Sequence, residues 1–235
     1  MDRWRPYIQL FIVISYITAC FLLVYHVYAK KTDDLIKENQ ALKAEKQFIE
    51  SQYNYVKSLP TDFKTSDWYE SFPEMEKMAQ RMVDESGGKF KETWAIYLIM
   101  EAKRFDIDPF LVYELLRVET GGTFNPELAG PPTKYGRAYG LGQFMKNTAP
   151  WVADMAGLPY EDELLFDPYY SMQLTFVYLD YLHQEYGNWN EALTAYHRGM
   201  GGLETYIQKH GHAKSWYAVT IQRNASSHGS YAFAR

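Results

Sequence analysis

The feature that most constrains this chain is an N-terminal run, from Tyr7 to Ala29, that contains no charged side chain. About 20 apolar residues are enough for a helix to cross a bilayer, and no soluble helix needs so long an uncharged span. Tyrosines near both ends of the run are typical of residues that anchor a helix at the membrane interface. We therefore expect residues 1–31 to form a cytoplasmic stub and a transmembrane anchor.

A lipid anchor is the alternative to this helix. Residues 17–20, Ile-Thr-Ala-Cys, are similar to the lipobox of bacterial lipoproteins, and Cys20 is the one cysteine of the chain. The chain stays apolar as far as Val24, whereas mature lipoproteins usually become polar after the cysteine. We favour the uncleaved anchor, and both alternatives hold the rest of the chain outside the cytoplasm.

A polar helix is expected next, because residues 32–58 contain neither Gly nor Pro. Apolar residues recur in it every seven positions: Leu35, Leu42, Ile49 and Val56. This heptad pattern predicts a short coiled-coil homodimer. With only about three heptads, a single amphipathic stalk helix is an equal alternative. We place the stalk and its linker at residues 32–67.

A mainly α-helical domain is expected from Trp68 onward, where helical segments alternate with breaks at Gly, Pro and Asp. No run of alternating β-branched residues is long enough for a substantial sheet. The high content of hydrophobic residues, 47%, argues against disorder. We place this domain at residues 68–223 and a polar tail at residues 224–235.

Charge and cysteine content exclude some partners and cross-links. The chain has 24 basic and 29 acidic residues and no long basic patch, so nucleic acid is not expected as a partner. A single cysteine cannot form an intrachain disulfide. The six histidines lack the spacing of a zinc site, and we expect no metal and no cofactor.

The candidate catalytic group is Glu119, within the segment 106–122 (DIDPFLVYELLRVETGG). Asp108 is a good N-cap and Pro109 suits the first helical position, while the final glycine pair offers a left-handed stop. Glu119 therefore lies in the last helical turn, where the helix dipole disfavours its ionised form. Apolar burial raises a carboxyl pKa in the same direction. A protonated glutamic acid is what general acid catalysis on a glycosidic oxygen requires.

Four motifs of the chain, in the same order, resemble those of the soluble lytic transglycosylases, whose fold is related to goose-type lysozyme. They are residues 107–122 (IDPFLVYELLRVETGG), 139–145 (YGLGQFM), 166–168 (FDP) and 191–196 (EALTAY). The resemblance covers about residues 105–205. It implies a lysozyme-like helical domain that cleaves bacterial peptidoglycan.

The resemblance also implies roles for individual residues. Glu119 is expected to protonate the oxygen between N-acetylmuramic acid and N-acetylglucosamine, and then to help the muramyl 6-hydroxyl close a 1,6-anhydro ring. The Tyr196 hydroxyl is expected to hydrogen-bond Glu119, and Gln143 to contact the N-acetyl groups. The full set expected to bind substrate is Thr120, Tyr139, Gly140, Gln143, Phe144, Met145, Tyr196 and His197.

Three positions depart from the family's pattern. Thr120 replaces a serine and keeps the hydroxyl. Gly142 replaces a methionine, which is expected to widen the groove. His197 replaces an asparagine and is either a packing or capping substitute or a titratable neighbour of the site.

A lone acid distinguishes this mechanism from that of ordinary glycosidases, which need two carboxylates. The first alternative is a hydrolytic muramidase of the same fold, in which a downstream Asp positions water. The second is a non-catalytic membrane scaffold that grips glycan. Because peptidoglycan lies outside the inner membrane, we expect a single-pass protein of the bacterial cell membrane whose domain faces the cell wall or periplasm.

Overall fold

Helices provide most of the regular structure in the residues that this computed structural model describes. The backbone is described for residues 5–58 and 65–229, and the side chains for residues 15–39, 42–43, 46 and 73–229. The α-helices of these ranges are α1 (Arg5–Ser58), α2 (Thr65–Glu85), α3 (Glu92–Phe105), α4 (Pro109–Glu119), α5 (Ala149–Met155), α6 (Pro168–Tyr186), α7 (Trp189–Arg198), α8 (Met200–His210) and α9 (Trp216–Ser227). The predicted mainly α-helical class is confirmed.

The chain divides into two compact units, Met1–Gln47 and Phe48–Arg235. The domain boundaries expected after residues 31 and 67 fall inside α1 and α2. A single 3₁₀ helix, Asp162–Phe166, precedes α6 in the described part of the second unit.

Helix α1 contains the segments expected to form the anchor and the stalk. Its large apolar side chains between Tyr16 and Tyr28 are exposed, and Cys20 is an exposed free thiol. Within the described residues, no helix has a stretch long and apolar enough to cross a membrane. The transmembrane segment expected over residues 7–29 is not supported by this finding, and the side chains of residues 7–14 lie outside the described set.

The coiled-coil expectation also rests in part on residues outside the described set. Leu35 and Leu42 are exposed in the described part of α1. The side chains of the later heptad positions, Ile49 and Val56, are not among those described. The homodimer stays a prediction.

Helix α4 is the most deeply buried helix of the second unit, with every residue from Pro109 to Leu116 buried. It begins as predicted: the Asp108 side chain accepts a hydrogen bond from the N–H of Phe110 at 2.9 Å. After Glu119 the chain leaves the helix through a glycine pair with φ values of 58° and 72°, a conformation that glycine adopts without steric cost. The end of α4, and with it Glu119, is therefore fixed by the surrounding core.

Helix α9 packs against α4 and extends past the expected end of the domain. Tyr217, Ala218 and Ile221 bury one face of α9 in the core. Ala225 and His228 are also buried, so the tail expected from residue 224 begins later than the sequence indicated. The His228 ring stacks on Phe110 with 4.3 Å between ring centroids.

His228 lies between two carboxylates, the buried Glu114 and the exposed Glu85, an arrangement that the sequence did not predict. Its Nε2 is 3.0 Å from Glu114 Oε1, and its Nδ1 is 3.2 Å from Glu85 Oε2. The three side chains approach closely enough to be considered as metal ligands. However, Arg81 already pairs with Glu85 and Arg117 with Glu114, so little negative charge is left for a cation. The cluster is best described as an ion-pair network that joins α2, α4 and the end of α9.

A short antiparallel hairpin is the one sheet that the described residues contain. Its strands are β1 (Ala138–Tyr139) and β2 (Phe144–Met145), with Ala138 opposite Met145. This agrees with the expectation that the chain has no substantial sheet. The hairpin matters here because it forms one wall of the cleft.

Candidate active site

A cleft of about 730 Å³ opens in the second unit beside the end of α4. Its other walls come from the β1–β2 hairpin with the loop that precedes it, and from the C-terminal end of α7. Six of the nine residues predicted for the site line it: Glu119, Gln143, Phe144, Met145, Tyr196 and His197. The fold thus brings together, at one cleft, predicted site residues that are far apart along the chain.

Glu119 is half-buried at this cleft and has the electrostatics of an acid catalyst. Burial raises its pKa from an ordinary 4.5 to about 7, and a hydrogen bond from Tyr217 partly opposes this rise. The direction predicted from the sequence is confirmed. Because Tyr217 donates to Oε1, the proton of the neutral acid belongs on Oε2, which is left free for a ligand.

Tyr217, on α9, is the tyrosine that hydrogen-bonds the Glu119 carboxyl. Its hydroxyl donates to Glu119 Oε1 at 2.5 Å. Burial raises the pKa of Tyr217 well above its ordinary value, and the nearby Glu119 charge adds to the effect. The phenol therefore keeps its proton and remains a hydrogen-bond donor.

The expected hydrogen bond between Tyr196 and Glu119 is wrong. The Tyr196 hydroxyl donates to the backbone oxygen of Gly142 at 2.9 Å. Burial, and then the charge of Glu119, raises the pKa of Tyr196, so the two side chains are neighbours without being partners. Through this hydrogen bond, Tyr196 instead joins α7 to the turn between β1 and β2.

The sequence analysis missed Tyr217 because it lies outside the four motifs, 98 residues after Glu119. The available signal was the start of a helix at Ser215, whose side chain accepts a hydrogen bond from Ala218. That signal predicts α9 but does not say which residue of α9 faces the cleft.

His197 supports Tyr217 by packing. Their rings stack with 4.6 Å between centroids and an interplanar angle of 9°. Burial, and then the charge of Arg198, lowers the pKa of His197, so it is neutral at neutral pH. Of the two roles considered for this residue, the structure favours packing.

Gln143 is held in place by backbone groups. It adopts a left-handed conformation with φ of 49°, and its amide Nε2 donates to the oxygens of Gly140 at 2.8 Å and Leu128 at 3.2 Å. Both donors of the amide are thereby used, and Oε1 is the atom left to accept a hydrogen bond from a ligand.

Three predicted site residues have structural roles outside the cleft lining. The Thr120 hydroxyl donates to Leu116 O and accepts from the N–H of Phe124, which closes the turn after α4. Tyr139 packs edge-on against Phe166. Gly140 has a φ of 76° and lies so close to the Leu165 backbone oxygen that a Cβ would clash with it.

Gly142 does not widen the groove, contrary to expectation. A Cβ at this position would lie 2.7 Å from the Phe144 ring and would also clash with the Thr175 hydroxyl. Phe144 is itself buried, between Tyr178 and Tyr196. The space that a larger residue would need is therefore already filled.

Gly142→Ala should lower the free energy of unfolding by about 1–3 kcal/mol, because the buried Phe144 ring cannot move aside freely. Thermal or urea unfolding measures this loss. Gly201→Ala is the matched control, since Gly201 lies in α8 and a Cβ there would meet no atom within 4 Å. A Gly142→Ala protein as stable as the control would contradict this account of the packing.

Glu119 is the one carboxylate among the described residues that line the cleft. Two acidic residues that follow Glu119 in the sequence have partners elsewhere. Asp162 accepts hydrogen bonds from Lys146 and Tyr160, and Asp167 caps α6 by accepting from the N–H of Tyr170. The geometry therefore supports chemistry with a single acid.

Cleavage should depend on pH through Glu119. A general acid must be protonated, so kcat/KM should stay level below about pH 7 and fall tenfold per pH unit above it. A pH–rate profile between pH 5 and 9 measures this. His197→Gln should keep the descending limb, because the pKa of His197 is lowered and not raised. A midpoint near the ordinary glutamate pKa of 4.5 would contradict the assignment.

The fold and the site define a class: a helical domain that presents one protonated glutamic acid in an open cleft. The family model "Transglycosylase SLT domain" matches residues 96–219, more than half of the chain. The chain therefore belongs to the Transglycosylase SLT domain family.

Comparisons with individual proteins add little to the family assignment. A solved structure of an inactive mutant of lytic transglycosylase Slt from Pseudomonas aeruginosa matches with 21% identity and a TM-score of 0.47. The match covers 69% of this chain and 27% of the Pseudomonas chain, so this chain spans about a quarter of that protein. A comparison with curated proteins gave no match.

Proposed function

We propose that this protein is a peptidoglycan lytic transglycosylase in which Glu119 is both the general acid and the general base. One observation carries the proposal: a glutamic acid with a pKa of about 7 lies at the cleft, held by a tyrosine, in a chain of the Transglycosylase SLT domain family. A carboxyl of this pKa can give up and take back a proton near neutral pH.

The proposed reaction cleaves the β-1,4 bond between N-acetylmuramic acid and N-acetylglucosamine. Oε2 of Glu119 gives its proton to the glycosidic oxygen, and the C1–O bond breaks. The muramyl acetamide oxygen stabilises C1 as positive charge develops there. The ionised Glu119 then takes the proton of the muramyl 6-hydroxyl, whose oxygen bonds to C1 and closes the 1,6-anhydro ring. Glu119 ends protonated, and no water is consumed.

Gln143 has a specific part in this proposal. Because its Nε2 is already bonded to backbone oxygens, Oε1 accepts the N–H of an N-acetyl group. The half-buried Met145 side chain provides apolar surface on the same wall of the cleft.

A hydrolytic muramidase is the alternative, and the cleft lining argues against it. An inverting hydrolase needs a second carboxylate to activate water. Among the described residues that line the cleft, no carboxylate other than Glu119 is present.

Mass spectrometry of the products from purified peptidoglycan tests the proposal. A lytic transglycosylase leaves 1,6-anhydro-muramic ends without uptake of solvent oxygen. A muramidase leaves reducing ends that carry oxygen-18 when the reaction is run in labelled water. Intact strands after prolonged incubation would instead favour the non-catalytic scaffold.

The location of the enzyme is part of the proposal. The catalytic domain faces the cell wall or periplasm, because its substrate lies there, and the uncharged run from Tyr7 to Ala29 supports an N-terminal membrane tether. Protease added to wall-stripped intact cells should remove the domain. A domain that is degraded only after lysis would contradict this location.

A further inference from the structure

Two cationic side chains line the cleft without a carboxylate partner. Lys134 belongs to the loop that precedes β1, and Arg198 is the last residue of α7. Both side chains are exposed. Neither forms an ion pair with any residue that the structure describes.

Each cation is instead positioned by an aromatic ring. Lys134 Nζ lies 4.7 Å from the centroid of the Tyr135 ring, and Arg198 Cζ lies 4.8 Å from that of Tyr206. A cation–π contact restrains the side chain without engaging its N–H groups as hydrogen-bond donors. The N–H donors of both side chains therefore stay available for an anion.

The charge of the cleft differs in sign from that of the whole chain. The chain has a formal net charge of −5, whereas the cleft lining contains two cations and a single carboxyl, Glu119. This carboxyl is largely protonated below about pH 7. A cationic cleft in an acidic protein attracts anionic ligands, and an uncharged sugar chain would give these cations no partner.

We propose that Lys134 and Arg198 bind the carboxylates that muramyl residues carry on their 3-O-lactyl side chain. The inference rests on the proposed function and specifies which part of the glycan the cleft selects. Muramic acid differs from glucosamine by a lactyl ether that ends in a carboxyl group. In peptidoglycan that carboxyl is either free or extended by a short peptide with carboxylates of its own. The shared chemistry is a carboxylate beside the sugar, which either the ammonium or the guanidinium group can bind.

A binding experiment on the full chain carrying Glu119→Gln tests the proposal without cleavage. The ligands are soluble glycan strands of three kinds: peptide-bearing strands, strands freed of peptide that keep the lactyl carboxylate, and strands whose carboxylates have been converted to neutral amides. Lys134→Gln/Arg198→Gln is added to this background. Because exposed charge pairs are weak and guanidinium–carboxylate pairs stronger, we expect roughly a tenfold loss of affinity for carboxylate-bearing strands, with a weaker dependence on salt. Affinity for the amidated strands should not change.

Matched variants separate a local effect from a general change of charge. Lys77→Gln/Lys89→Gln removes the same charge from exposed positions that do not line the cleft, and it should leave all three affinities unchanged. Lys134→Arg/Arg198→Lys keeps both charges and should retain most of the binding.

The three ligands also identify the source of the carboxylate. A loss on the peptide-free strands alone assigns the lactyl carboxylate, and a loss on the peptide-bearing strands alone assigns the carboxylates of the peptide. A loss on both shows that the two cations accept either carboxylate. The proposal is overturned if the double variant binds every strand as its parent does, if it loses equal affinity for the amidated strands, or if the parent binds none of them. Since binding is measured, a wild-type protein that cleaves nothing would refute the proposed function and leave this result standing.

Discussion

Glu119→Gln should reduce glycan cleavage by roughly 10³-fold or more, because the amide can neither donate the catalytic proton nor take one back. Glutamine has nearly the same shape and can still accept the hydrogen bond from Tyr217. The domain should therefore fold normally. Release of soluble fragments from purified peptidoglycan, followed over hours, measures the loss.

The pH dependence of the free energy of unfolding provides an internal control for this variant. The folded state holds the Glu119 proton up to about pH 7, whereas the unfolded chain releases it near 4.5, so this group costs stability as pH rises between these values. Glu119→Gln should then be more stable than wild type at pH 8, by about 3 kcal/mol at most, and equal to it at pH 4. Glu127→Gln, at an exposed position, should change neither property. Near-normal cleavage by a folded Glu119→Gln protein would show that the acid is elsewhere.

Tyr217→Phe should reduce turnover by roughly 10²-fold, because a misplaced acid loses the geometry that the reaction needs. The same hydroxyl lowers the pKa of Glu119 through its hydrogen bond. Its removal should therefore move the descending limb of the pH–rate profile to higher pH. A change that affected only stability would leave that midpoint in place, so the profile distinguishes a positioning role from a structural one.

Tyr196→Phe is the matched control, since it removes a phenol from the same cleft that donates to Gly142 and not to Glu119. It should cost about 0.5–1.5 kcal/mol of stability and leave the midpoint of the profile unchanged. If Tyr196→Phe shifts the midpoint and Tyr217→Phe does not, the roles assigned to the two tyrosines are reversed.

The parts of the site that were predictable are those set by neighbours in the sequence. Asp108 and Pro109 mark the start of α4, and a glycine pair marks its end, so the position of Glu119 in the last turn follows from local capping rules. The direction of its pKa shift could be anticipated from the apolar residues of the same segment, because burial raises the pKa of a carboxyl group. The motifs also contain five further residues that line the cleft: Gly142, Gln143, Phe144, Met145 and Tyr196.

The parts that were not predictable depend on contacts between distant segments. Tyr217 and Tyr196 are both aromatic residues on late helices, and only the packing of α9 against α4 decides which phenol meets Glu119. Phe144 fills the space beside Gly142. A glycine in the sequence does not show whether the space next to it is empty or occupied by another residue. Whether Thr120 and Gly140 face the cleft or the core likewise depends on tertiary structure.

The ion-pair network around His228 has a practical consequence for anyone who isolates the catalytic part of this protein. The family match ends at residue 219, in the first third of α9, and a fragment designed from that match alone would end there. A fragment that stops there would lose Ala225 and His228 and leave Glu114 buried without its imidazole partner. It would also loosen the helix that carries Tyr217. Fragments intended for crystallisation or assay should extend at least through residue 229, so that the helix supporting the acid is itself held at its far end.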